Sequence, residues 1–106
     1  MAQVRWTIKS DSLFDLCVFN AFMEYGQKTS KRWMQERIAF ADLVAKHPEA
    51  CPPEALLADR KRCYRSCLIM RRFKIVYYYA KSSDIVHVVD IWDTRMSPYK
   101  LRKRIE

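Results

Sequence analysis

A chain of 106 residues, half of them apolar and fourteen aromatic, can build one hydrophobic core; it is too short for a second domain and too aromatic for a disordered polymer. Its only glycine, Gly26, excludes the Walker and dinucleotide-binding loops, which need several positions without a Cβ to wrap phosphate, and with them kinase, GTPase and Rossmann readings. The net charge is +8, and the excess lies beyond residue 58, where thirteen Lys and Arg face five Asp and Glu, against seven of each before it.

The first predicted element is a strand over residues 3 to 8, where Val4, Trp6 and Ile8 alternate with Gln3, Arg5 and Thr7 at the period of a half-buried strand. Ser10 or Asp11 then caps a helix from Ser12 to Tyr25. Leu13, Leu16, Cys17, Asn20 and Met23 align along it with Phe14, Val18, Phe22 and Tyr25 beside them, so this helix is expected to be largely enclosed. Gly26 stops it. A second helix, capped by Thr29 or Ser30 and running to about Lys46, buries Met34, Ile38, Ala41 and Ala45, and Pro48 ends it. Two amphipathic helices so closely joined make a hairpin.

Cys51 to Leu57 reads as a loop with one helical turn, stiffened by Pro52 and Pro53. Three β-rich runs follow, Cys63 to Met70, Phe73 to Ala80 and Ile85 to Trp92, an antiparallel meander. Arg71-Arg72 is poor chemistry for a tight turn that favours positive φ. In the simplest register Met70 lies opposite Phe73 and Lys81 opposite Asp84. One face then holds Tyr64, Leu68, Met70, Phe73, Ile75, Tyr77, Tyr79, Val86, Val88 and Trp92, with the hairpin as its cover. The other holds Arg65, Cys67, Ile69, Lys74, Val76, Tyr78, Ile85, His87, Val89, Ile91 and Asp93, joined by Arg95. That second face is apolar at its centre and charged at its rim, which asks for a cover. Ser97-Pro98 starts a helix whose Leu101 and Ile105 reach it; the tail is expected to cover part and a partner the rest.

The basic excess gathers in two clusters, Arg60 to Lys74 and Arg95 to Arg104. Such a field raises the local concentration of polyanions, so an anionic macromolecule is expected; the plainer alternative is a solvated surface that only aids solubility. Cys17, Cys51, Cys63 and Cys67 are even in number, yet Cys63 and Cys67 on one strand would stand roughly 13 Å apart, beyond disulfide reach. No C-x-x-C pair exists, and neither His47 nor His87 has metal-ligand spacing to a cysteine. Reduced core thiols, no metal and no cofactor are expected. With no secretion signal at MAQVRWTIKS and no apolar run near the roughly 20 residues of a membrane span, a cytoplasmic protein is expected.

The order of strand, helical hairpin, basic turn and three-stranded meander, taken with Val4-Arg5-Trp6-Thr7, His47-Pro48-Glu49, Tyr64-Arg65, Phe73-Lys74-Ile75-Val76-Tyr77 and Asp93-Thr94-Arg95-Met96-Ser97-Pro98, resembles the RelE/ParE superfamily of bacterial toxins over essentially the whole chain. The resemblance implies an α+β fold and a single toxin domain over residues 1 to 106. It also implies a type II toxin–antitoxin module in which a cognate antitoxin folds an acidic, partly disordered tail across the toxin. The expected docking residues are Arg65, Ile69, Lys74, Val76, Tyr78, His87, Val89, Ile91 and Arg95.

Two activities are implied. RelE-like members cleave mRNA in the ribosome with basic residues and a tyrosine; carried over by position, these are Arg65, Lys74, Arg95 and Tyr99. ParE-like members cleave nothing and inhibit DNA gyrase. Here Cys67 replaces a second nuclease lysine and Asp93 an arginine, and an anion there opposes the charge that in-line attack builds. His87 alone has an ordinary pKa near neutrality within a strand, where packing or an interface is the commoner role. Lys74 is a base only if burial lowers its pKa. The non-catalytic, ParE-like reading is therefore favoured over the endoribonuclease. Outside the superfamily, basic clusters interleaved with Tyr and Trp also suit a plain nucleic-acid-binding module.

Overall fold

A computed structural model describes residues 1 to 105. It has the α+β architecture: β1 (Gln3–Trp6), a hairpin of α1 (Ile8–Tyr25) and α2 (Gln27–Lys46), a 3-10 turn (Ala55–Leu57), β2 (Tyr64–Ile69), β3 (Phe73–Ala80), β4 (Ile85–Asp93) and α3 (Pro98–Arg104). The sheet order is β1-β4-β3-β2, with β2, β3 and β4 antiparallel. β1 lies parallel to β4, from Gln3 beside Ile85 to Trp6 beside Val88.

The first strand is shorter than its alternation suggests because Thr7 caps α1, its Oγ1 accepting from the Ser10 N–H at 3.1 Å. Ile8 thus becomes the first helical residue and points to solvent. Ser10, fully buried, donates to the Val88 carbonyl at 3.0 Å and pins the start of the helix to β4. Gly26, at φ +90, closes α1 through its N–H on the Phe22 carbonyl and opens α2 directly, so α2 begins at Gln27 and not after Thr29. A side chain there would be strained by its backbone alone.

The hairpin packs on one sheet face through rings that meet edge to face, Trp6 on Phe14 and Phe40, Phe14 on Trp33, Trp33 on Phe73, and Phe40 on Tyr77. Each such pair adds about 0.5–1.5 kcal/mol beyond its burial. Val44, Ile75, Val86 and Val88 fill the remaining space. The Arg37 guanidinium lies 3.8 Å from the centroid of the Trp6 ring and pairs with Asp11 at 2.8 Å.

Two register features depart from the simple meander. Ile69, not Met70, faces Phe73, and the turn between β2 and β3 is made with Met70 and Arg71 at φ 48 and 68. Non-glycine residues held there cost about 1–3 kcal/mol each. This one-residue shift exchanges the faces of β2, turning Tyr64, Ser66 and Leu68 away from the hairpin and Cys67 and Ile69 towards it. The register between Lys81 and Asp84 holds as far as Val88, which pairs with Tyr77, after which Val76 pairs with Asp90. Val89 is the extra residue of a β-bulge, and beyond it Ile91 turns to the hairpin and Trp92 to the opposite face.

Candidate interaction site

The sheet face opposite the hairpin carries its own small core. Leu57, Tyr64, Val76, Trp92, Leu101 and Ile105 are all buried there, under α3 and the 3-10 turn. Arg60 bonds the carbonyls of Ile105 and Arg102, Arg102 bonds the Leu56 carbonyl and pairs with Asp59, and Arg104 bonds Asp90, so the tail is stitched down by basic side chains. Asp90 is fully buried; burial pushes its carboxyl up, and Arg104 and Lys9 oppose that.

The tail, expected to cover part of this face, covers its apolar centre. Of the nine expected docking residues, Val76 is sealed beneath α3, while Ile69 and Ile91 are buried against the hairpin, the first by the register shift and the second by the bulge. Leu68, 60% exposed, is the one large apolar side chain left open on β2. Tyr78 and His87 stack with centroids 4.8 Å apart, and Arg62 lies over the Tyr78 ring at 4.4 Å. Partial burial, then the charges of Arg5 and Arg62, hold the His87 pKa below its ordinary value. Val89 is half-buried beside them.

The loop after α2 folds back along β2. Pro53 bridges to Arg65, the Glu54 N–H reaches the Tyr64 carbonyl at 2.8 Å, and the Ser66 N–H reaches the Pro52 carbonyl at 3.2 Å, which shields an otherwise open sheet edge. Cys51 and Cys67 form a disulfide with Cα atoms 5.5 Å apart, correcting the expectation of reduced core thiols. Cys17 and Cys63 are free, and burial raises the Cys17 thiol to about 11. Spacing along one strand separates Cys63 from Cys67 but carries nothing about a partner brought back by a loop.

That loop also supplies Glu54, a site residue the sequence reading missed. It is 4% exposed; Oε1 accepts from Lys74 Nζ at 2.7 Å and Ser66 Oγ at 2.9 Å, and Oε2 from the Leu56 N–H at 3.0 Å. Burial alone would raise its carboxyl, but Lys74, Leu56 and Ser66 outweigh it and the pKa falls below the ordinary value. Its sequence signal is the capping position ahead of Ala55-Leu56-Leu57.

The four residues carried over as a nuclease set are not assembled. Lys74 is tied to Glu54 on the α3 side of the sheet. Arg65 donates to the carbonyls of Cys51 at 2.8 Å and Glu49 at 3.4 Å, from a β2 position that alternates with the opposite face. Arg95 pairs with Asp93 at 3.0 Å and, through hydrogen bonds from its side chain and backbone, lowers the Asp93 pKa. Tyr99 is exposed, with Lys103 Nζ 4.8 Å from the centroid of its ring. Among the described residues no hydrogen bond or ion pair joins any two of the four.

The open apolar surface lies on the hairpin, against the expectation that α1 is enclosed. Leu16, Phe19, Phe22, Met23 and Tyr25 of α1 and Met34 and Ile38 of α2 are all exposed, Phe19 at 58% and Met23 at 67%. A largely apolar groove of about 330 Å³ runs between the two helices, lined by Val18, Met34, Arg37, Ile38 and Ala41 among others. A larger cleft of about 560 Å³ opens between the end of α1, the start of α2, the β2–β3 turn and the end of β4. Among the described residues no helix is long and apolar enough to cross a membrane, and no three His, Cys, Asp or Glu side chains gather as metal ligands.

No family model matches the chain, and no curated protein matches it. Solved structures do. One, described as the chromosomal ParDE TA system from P. aeruginosa, is 12% identical with a TM-score of 0.68, over 88% of this chain and 96% of that one. Another, described as a metal-bound toxin from Helicobacter pylori, is 15% identical with a TM-score of 0.66, over 90% and 97%. At these identities the likeness is one of fold alone: the chain shares the α+β fold of these two structures.

Proposed function

We propose that this chain is the toxin of a type II toxin–antitoxin module and arrests growth in the ParE manner, by acting on DNA gyrase, until a cognate antitoxin covers it. The observation that supports the toxin reading is the shared fold over 88% and 90% of this chain and 96% and 97% of the two structures it resembles. The non-catalytic branch is supported by the nuclease candidates themselves. Arg65 and Lys74 occupy positions on opposite sheet faces, and Lys74, Arg65 and Arg95 each spend their charge on a group of this same chain. An in-line attack by a ribose hydroxyl needs donors already aimed at one developing charge.

The ribosome-dependent endoribonuclease is the second reading, favoured by Lys74 and Tyr99, which share the α3 side of the sheet. A plain nucleic-acid-binding module is the third. Expression of the protein alone should stop bacterial growth, and co-expression of the adjacent reading frame should restore it; unhindered growth counts against the toxin reading. Purified protein should inhibit gyrase supercoiling and leave messenger RNA intact in translating ribosomes. Cleavage that Tyr99→Phe abolishes would replace gyrase with the ribosome as the target.

A further inference from the structure

Neither the gyrase nor the ribosome reading uses the open surface of the hairpin. Leu16, Phe19, Phe22 and Met23 of α1 and Met34 and Ile38 of α2 each keep at least half of their surface in water. Met34 and Ile38 line the groove of about 330 Å³ between the helices, with Val18 across from them. Phe19 and Phe22, four residues beyond Asp15 and Val18, continue the α1 wall of that groove.

The two walls carry opposite charge. α1 holds Asp11, Asp15 and Glu24 against Lys9, whereas α2 holds five Lys and Arg against Glu36 and Asp42. Pairs within the chain engage some of these, Arg37 with Asp11, Arg32 with Glu36 and Lys46 with Asp42, and the charge of Lys9 acts on the buried Asp90. Among the described residues Asp15 and Glu24 of α1 and Lys28 and Lys31 of α2 form no ion pair. A polyanion in the groove would lose to α1 what it gains from α2, and the excess of positive charge that attracts polyanions lies beyond residue 58. A second copy of this chain suits both walls. Turned about a two-fold axis parallel to the helices, it sets its α1 over α2 and its α2 over α1, so acid meets base on each side. Like charges would meet only about an axis at right angles to the helices, which sets α1 over α1.

We propose that the hairpin is a self-association surface, on which two copies of this chain pair face to face in a four-helix layer, the α1 of each on the α2 of the other. Two side-by-side helices about 27 Å long and about 8–10 Å apart offer roughly 500 Å² per copy, about 1,000 Å² in the pair, the lower limit of a specific interface. The net charge of +8 on each copy opposes the approach. The pair is therefore weak, with a Kd of about 10–100 µM, and protein at about 1 µM keeps the hairpin in water. The pairing is independent of whether the chain arrests growth.

The test is sedimentation equilibrium of the full chain from about 1 to 500 µM. The mass should climb from the 12.7 kDa of one chain towards twice that value. Ile38→Glu, at a position 69% exposed, should hold the chain as a monomer throughout. Two charge variants separate this pairing from general stickiness. Asp15→Lys with Glu24→Lys makes both helices basic, and Lys28→Glu with Lys31→Glu makes both acidic, so each variant alone should pair about tenfold more weakly than wild type. An equimolar mixture of the two should recover wild-type pairing within about threefold, because each helix again meets its opposite. A mass fixed at one chain up to about 500 µM, pairing untouched by Ile38→Glu, or a mixture no better than its parts would each overturn the proposal. So would NMR shifts at the amides of Phe19 and Ile38 on adding a glutamate decapeptide or a thymidine decanucleotide to a chain that stays monomeric, which would give the groove to another occupant.

Discussion

Two apolar surfaces of this molecule change places between sequence and structure. The sheet face expected to be shared between the tail and a partner has its apolar centre closed by the tail alone, with Val76 and Leu101 wholly buried. The first helix, expected inside, leaves Leu16, Phe19, Phe22, Met23 and Tyr25 in water. The difference lies in the material available to cover each face. One short helix and a 3-10 turn suffice for the sheet, whereas nothing in the described chain lies outside the hairpin. An apolar surface of that extent is a place for a partner.

If the comparison holds, substitutions on the two surfaces should differ most in their effect on stability. Trp92→Ala, in the closed core, should cost about 3–5 kcal/mol in urea unfolding. A loss below about 1 kcal/mol would mean that α3 does not seal the face. Glu54→Gln, at the edge of that core, should cost about 1–3 kcal/mol at neutral pH because Lys74 and Ser66 lose their charged acceptor. Since the folded carboxyl titrates below its ordinary value of 4.5, its contribution is complete above that value and fades as the pH falls below it. Mutant and wild type should therefore converge in acid. Phe19→Ser, on the open hairpin, should stay within about 0.5 kcal/mol of wild type by the same measurement. A large loss there would mean that the hairpin face is covered in solution.

What was legible in the sequence was local. The alternation of Val4 and Trp6, the stop at Gly26 and the Pro98 start mark their elements because period, cap and proline act within a few residues. The turn between Lys81 and Asp84 was placed for the same reason. Faces were not, before the β2–β3 turn or beyond the Val89 bulge. The Arg71-Arg72 turn closes only with Met70 and Arg71 in the left-handed region, and Val89 is an extra residue that no pattern of apolar positions marks. One slip in each strand moved Ile69 and Ile91 from the expected interface to the core and brought Trp92 the other way. Cys51 and Glu54 were read as loop residues because their partners, Cys67 and Lys74, come from strands that spacing alone does not bring near.

The parallel seam between the first strand and the last has a temporal meaning. Gln3 to Trp6 find their neighbours only at Ile85 to Val88, so during synthesis the outermost strand has nowhere to dock until the chain as far as Val88 has left the ribosome. Contacts of such long sequence separation form late and slowly. A chain that stops before β4 leaves the first strand unpaired, and a binder that recognises the finished sheet therefore meets only molecules in which both sides of the seam have been made.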